Sequence, residues 1–324
     1  MKLWQKLGST LFGAALAATS MTAQAADPIT IMVGFPPGGA TDTVGRLLAE
    51  KLQDILGEPV IVENKPGIGG RIAAQALAKA PTDGRTYMIA PNATGVFQQI
   101  HYPESVLKYD LLRDLKAIGM ITSYPMGMVA SAEAGVSNLK EYAAWLKKNP
   151  DKANIGVAGL GGDTHFNSMQ FAKLAGVDLT VVPYRGNGPL VTELLGNQIP
   201  AGTMVIGDAI QHIRAGKMVA LAVIDDKRSP LLPDVPTTVE QGFDTGGGPG
   251  WMGLWAPAGS PDGANQRLAA ALEKALAMPD VRKTLTERAM QPDFRSGQAM
   301  TEQVKKELAH WGPVVKASGF KPSR

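Results

Sequence analysis

The chain alternates between short apolar runs and stretches whose apolar residues recur at helical spacing. "ITIMVGF" is nearly all apolar and predicts a buried strand, and "TVGRLLAEKLQDIL" predicts an amphipathic helix that stops at Gly57. "PVIVEN" reads as a second strand, "GGRIAAQALAKA" as a second helix and "TYMIAP" as a third strand. A βαβαβ run of this kind predicts parallel strands joined by right-handed crossovers. Residues 92–121, with "HYPESVLKYD", are less regular and predict one short helix.

The alternation then restarts. "MGMVAS", "NIGVAG", "LTVVPY", "MVALAVI" and "WMGLWAPAG" read as strands. Between them lie the helical patterns "NLKEYAAWLKK", capped by Ser137, then "HFNSMQFAKLAG", "PLVTELLG" and "AIQHIRAG". Pro189 suits the first turn of its helix, Asp208 suits the N-cap of the next, and Gly216 suits its stop. A Pro- and Gly-rich segment over 229–250 marks a boundary, and three helical patterns finish the chain. The pattern predicts an α/β protein of two units whose sizes fit ordinary domains. The last helices carry too few strand signals to stand alone, so they are expected to pack back on the first unit. Lobe 1 is then 26–123 with 250–324, and lobe 2 is 124–249. The chain would cross between them near Ser123 and near Gly250, leaving a hinged cleft as the natural ligand site.

The beginning of the chain changes the setting. Lys2 and Lys6 are followed by a short run of small apolar residues, then "AQA" at Ala23–Ala25, which predicts a cleavable secretory signal over 1–25. Its apolar part is too short to span a bilayer, which takes roughly 20 residues. The chain has 0 Cys, which excludes disulfides, Cys nucleophiles and Cys metal sites, and gives no residue for a lipid anchor after the signal. The expectation is a free protein of the periplasm. The charge is 32 basic against 29 acidic residues; losing Lys2 and Lys6 leaves 30 against 29, or +1. That balance, with aromatics at only 6% and no basic run among them, gives no footprint for nucleic acid.

Catalytic equipment is sparse. The four histidines, His101, His165, His212 and His310, fall at no zinc-binding spacing, and there is no G-x-S-x-G. Ser105–Lys108 and Ser137–Lys140 match S-x-x-K but lack the companion S-D-N and K-T-G motifs. "GIGG" and "GLGG" lack the third glycine of a dinucleotide loop, and no phosphate-binding G-x-x-x-x-G-K occurs. No cofactor and no metal are expected.

What recurs instead is the glycine-rich strand-to-helix turn: "FPPGGATD" (Phe35–Asp42), "AGLGGDTH" (Ala158–His165) and "YRGNGP" (Tyr184–Pro189). Such turns leave backbone N–H groups at a helix N-terminus, where positive partial charge collects and glycine allows close approach. In a parallel sheet they lie at the carboxyl edge, where ligands bind. Every α/β protein has such turns, but several facing one cleft would suit a small carboxylate. Arg185 either adds a two-bonded grip on it or is a solvated surface side chain.

Seven pieces now stand in order: "FPPGGATD", "VENKPGIGG" with "IAAQALAKA", "PTDGRTY", Thr164-His165, "VPYRG", "AGKMVALAV" and "RSPLLPDVPTTVEQG". In this order and spacing the chain resembles the Bug family, the periplasmic solute-binding proteins of tripartite tricarboxylate transporters. The resemblance implies a two-lobed Venus-flytrap fold with two hinge strands. It implies capture of a mono- or dicarboxylate between the lobes and delivery to membrane permease subunits, with no catalysis. It places ligand contacts, some through water, at Phe35, Gly38, Gly39, Thr41 and Asp42, and in the second lobe at Gly161, Gly162, Asp163, Thr164 and His165. Asn92, Thr94, Tyr184 and Arg185 would line the cleft.

Two positions depart from the family. Asp163 stands where many members carry Ser or Thr; it either caps the helix or meets a cation or ammonium. Met204 falls, in an ungapped count, where several carry an aspartate suited to an amine, which favours an apolar or aromatic carboxylate. Asp208, one turn on, either compensates or caps its helix. A monomer is expected. A ligand-presenting partner of a sensor histidine kinase is the alternative, and a periplasmic enzyme a more distant one.

Overall fold

β1 (Ile29–Val33) pairs in parallel with β2 (Val60–Asn64) on one side and β3 (Thr86–Pro91) on the other, as the apolar runs predict. The computed structural model describes residues 27–322, so the expected signal lies outside the described residues. Both faces of this sheet are covered, and alternate residues of β1 enter different cores. Ile31 packs with Val44, Leu48 and Leu52 of α1 (Ala40–Leu56) and with Leu268 and Leu272 of the C-terminal region. Met32 faces the opposite core with Leu77, Met88, Trp251, Trp255 and Trp311. Burial on both faces explains the lack of polar alternation along β1. Gly57 ends α1 in the left-handed conformation (φ 70°), its N–H bonded to the Gln53 carbonyl.

The remaining elements follow in chain order. α2 (Arg71–Ala78) precedes β3. A π-helical turn (Ala93–Phe97), α3 (Gln98–His101) and α4 (Glu104–Leu107) lead to β4 (Leu115–Tyr124) and β5 (Met126–Ser131). α5 (Leu139–Lys148), β6 (Asn154–Val157), α6 (Asp163–Ala175), β7 (Thr180–Pro183), α7 (Asn187–Leu195), β8 (Ala201–Val205), α8 (Ile206–Arg214) and β9 (Met218–Val223) complete the second unit. β10 (Gly250–Pro257), α9 (Asp262–Ala277), α10 (Pro279–Glu287), β11 (Gln291–Ser296) and α11 (Gly297–Ser318) close the chain. Two mixed sheets result, ordered β11-β4-β10-β3-β1-β2 and β7-β6-β8-β5-β9. The fold is two-lobed α/β, and its two crossings lie side by side, with Gly250 opposite Tyr124 in the β10–β4 ladder. Among the described residues no helix is long and apolar enough to cross a membrane.

Three strands are absent from the periodicity. β4 lies in the region read as irregular: Lys116 and Gly119 interrupt its apolar run, and Gly119 is small because Phe294 and the Arg295 carbonyl pack against it. β8 begins with small residues because the side chain of Leu190 presses on Gly202. β11, "QPDFRS", is a polar edge strand whose register shifts between Pro292 and Arg295. Two caps also differ from expectation. Asn138, not Ser137, caps α5 by accepting the Glu141 N–H at 2.9 Å, while Ser137 donates to the Glu141 carboxylate. Asp208 lies inside the first turn of α8, whose N-cap is Val205.

Candidate ligand-binding cleft

A cleft of about 540 Å³ opens between the two sheets. Its first wall comes from Phe35, after β1, with Gly69, Thr94, Gln98 and His101. The second comes from the turn after β6, Ala158 to Asp163, with Thr164, Asn187 and Val205. Tyr124 and Met126, at the crossing, form part of the floor, and Phe320, Lys321 and Pro322 approach from the end of the chain.

The β6–α6 turn is shaped by glycine. Gly159 and Gly161 have φ of 147° and 80°, and a Cβ on Gly161 would lie 3.0 Å from both the His101 ring and Phe320. Gly162, the N-cap of α6, offers no side-chain acceptor, so the N–H groups at this helix start that Asp163 does not take keep their positive partial charge beside the cavity. Thr164 lies on the wall and is almost fully buried. The Asp163 carboxylate accepts the Thr164 N–H at 2.9 Å, a local cap, yet also stays on the cleft wall. Behind it the Asn92 amide faces both Asp163 and Glu307, and Trp251 Nε1 donates to Glu307 at 2.6 Å. Burial pushes the Asp163 carboxyl up; the Thr164 N–H and Asn92 oppose this without overcoming it. Burial likewise raises Glu307, and the neighbouring Asp163 adds to the rise.

Across the cleft, "FPPGGATD" contributes Phe35 to the wall. Gly38 and Gly39 are exposed beside it, and Thr41 and Asp42 are buried behind it. Asp42 organises this loop. Its carboxylate accepts the Gly38 N–H at 2.8 Å, Arg46 Nε at 3.0 Å and Asn64 Nδ2 at 2.8 Å, while Asn64 also donates to the Phe35 carbonyl at 3.0 Å. Burial alone would raise the Asp42 carboxyl, but the bonds from Arg46, Gly38 and Asn64 hold it down at about 2. Thr94 reaches the wall from the π-helical turn and donates to the Gly69 carbonyl at 2.8 Å. Asn92 lies one layer back, against the two acids.

The other predicted residues fall away from the wall. His165 is buried, accepts the Gly161 N–H on Nδ1 at 3.1 Å, and is pushed down to about 4 by burial and then by the His101 charge; it braces the turn as a neutral ring. Tyr184 packs beneath β6 against Gly156 and the core around Leu190. Arg185 is exposed and outside the lining. Met204 is 0% exposed in the core with Val129, Leu190 and Leu194, so strand alternation turns its neighbour Val205 to the cleft instead. Asp208 accepts Asn187 Nδ2 at 2.6 Å and so steadies a lining residue without lining the cleft itself.

Several lining residues carried no expectation. Gly69 and Asn187 sit inside quoted turns, "GIGG" and "YRGNGP", where glycine density is a usable signal. Phe97, His101 and Tyr102, around the short α3, and the tail residues had none, because only long-range packing brings them here. His101 Nε2 donates to the Gly161 carbonyl at 2.5 Å, and Phe97 stacks on Phe166 of α6 with ring centroids 6.0 Å apart. The two walls are therefore in contact at one end of the cleft.

Residues 44–320 match the family described as TctC, tripartite tricarboxylate transporter family receptor. The chain is similar to Protein BugT of Bordetella pertussis, 31% identical over 300 residues, covering 91% of this chain and 90% of that one. Its structure is similar to that of MatC from Rhodopseudomonas palustris with bound malate (TM-score 0.74, 31% identity, 89% of this chain and 98% of that one). It is also similar to an R. palustris protein with adipate (TM-score 0.78, 28% identity, 91% and 98%).

Proposed function

The chain belongs to the tripartite tricarboxylate transporter receptor family, and from that premise we propose that it carries a small organic carboxylate to the membrane subunits of such a transporter. The work is done in the periplasm after removal of residues 1–25, by a chain that binds its solute and leaves it unchanged. The lobes are 26–123 with 250–324, and 124–249. The observation that carries this reading is the start of α6. Gly162 brings its amide and Thr164 its hydroxyl to one wall of a cavity whose opposite wall holds Phe35 and Thr94, while the Gly161 and Thr164 N–H groups are held by His165 and Asp163. A carboxylate there meets the positive end of a 13-residue helix. The Gly39 amide, exposed in the facing loop that Asp42 holds through the Gly38 N–H, closes on it from the other side. Contacts from both walls exist together only when the lobes are closed, so binding shifts the population toward closure. The malate and adipate held by two structural relatives support a carboxylate of this size class. The apolar share of the wall, from Phe35, Phe97, Met126 and Val205, also admits aromatic acids.

The test is a thermal-shift screen of malate, adipate, hydroxy acids and benzoate-type acids, followed by titration calorimetry and product analysis of the same mixtures. At least one acid should raise the melting temperature and be recovered intact. A panel without any shift, or conversion of the bound acid, would overturn the proposal.

A further inference from the structure

The end of the chain returns to the cleft. α11 stops at Gly319 in the left-handed conformation (φ 67°), and the Ser318 hydroxyl donates to the Val315 carbonyl at 2.7 Å while accepting the Phe320 N–H at 3.1 Å. This turn sends Phe320 back over the seam between the lobes. Its ring lies 5.1 Å from that of His101, on α3, and 5.2 and 5.7 Å from those of His165 and Phe166, on α6. It also fills the space beside Gly161 that a side chain there would need. One aromatic residue thus packs against both lobes and against the turn that forms the second wall.

The next residue, Lys321, reaches the lining, and it is the only Lys or Arg on the wall among the described residues. No carboxylate of the described residues pairs with it. Every other positive group facing the cavity is a backbone or side-chain dipole. The one acid on the wall, Asp163, sits beside Glu307 and is biased toward its neutral form, which leaves the cation uncancelled. We propose that Lys321, carried to the cleft on the strap anchored by Phe320, is the counter-charge of the ligand carboxylate and sets the preference for anionic over neutral solutes. This inference rests on the carboxylate reading of the cleft.

The variants Lys321→Met and Lys321→Arg are titrated, beside the parent, with malate, adipate and benzoate, each at low and high sodium chloride. For the acid that binds the parent best, Lys321→Met should bind about tenfold more weakly at low salt, and the gap should close as screening grows. Lys321→Arg should keep affinity within about threefold, because the charge is retained. The melting temperature of the empty protein should stay at the parent value, since Lys321 is exposed. Affinity of Lys321→Met within about twofold of the parent would overturn the inference and leave the carboxylate reading standing. A parent that binds none of the acids would remove the carboxylate reading, and this inference with it.

Discussion

Asp42→Asn separates two roles for the first turn, ligand contact and loop strut. The side chain of Asp42 is 3% exposed and receives three hydrogen bonds at 2.8–3.0 Å. The Arg46 partner is 53% exposed, so that ion pair by itself contributes less than about 1 kcal/mol. The Gly38 and Asn64 bonds are better shielded and end on a charge, where each is worth more than a neutral bond. Holding the carboxyl at about 2 instead of 3.8 corresponds to roughly 2.5 kcal/mol. Asparagine keeps the shape but turns a donor toward Arg46 or Asn64, so the expected cost at neutral pH is about 2–3 kcal/mol, or a melting point lower by about 5 °C. The folded pKa is depressed, so the stabilisation is full above pH 3.8 and is lost as pH falls through about 2. Urea unfolding of the empty parent and variant at a series of pH values reads this directly: the two curves should be separated at pH 7 and converge between about pH 4 and 2. Equal stability at pH 7 together with a large loss of carboxylate affinity would refute the strut role and make Asp42 a ligand group.

Thr164→Ala should weaken binding of the best acid by about 1–3 kcal/mol in calorimetry with little change in stability, and an unchanged affinity would take its hydroxyl out of the site. Asp163 titrates upward, facing Glu307 and Tyr124, so its folded state holds a proton that the unfolded chain gives up; stability falls as pH rises above the ordinary carboxyl range. Asp163→Asn should therefore match or exceed the parent in urea stability at pH 8, and should flatten the parent's gain in anion affinity on acidification. Phe166→Ala empties a fully buried site where α6 enters the core around Phe97 and Trp311; it should cost about 3–5 kcal/mol and enlarge the radius of gyration in X-ray scattering. A small cost with unchanged dimensions would show that this ring does not tie the lobes.

The alternation of strands and helices, the two-unit α/β plan and the glycine turns at the sheet edge were legible in the sequence, because each is written in local chemistry. Burial of one helix face or both sheet faces imposes a period, and backbone at positive φ selects glycine. The turn after β6 shows this best: Gly161, Gly162, Asp163 and Thr164 were expected at the cleft and all lie on its wall. Tertiary structure decided what depends on partners distant in sequence. β4, β8 and β11 are strands because neighbouring ladders recruit them, and their own residues carry weak periods. Met204 and Val205 differ by one step of a pleat, so a count along the chain cannot say which faces the cavity. The sequence places Asp42 in the first glycine turn, but only the fold brings Asn64 and Arg46 within reach of its carboxylate. The C-terminal strap carries no motif at all: Phe320 and Lys321 gain meaning only because a helix of 22 residues ends where the two lobes meet.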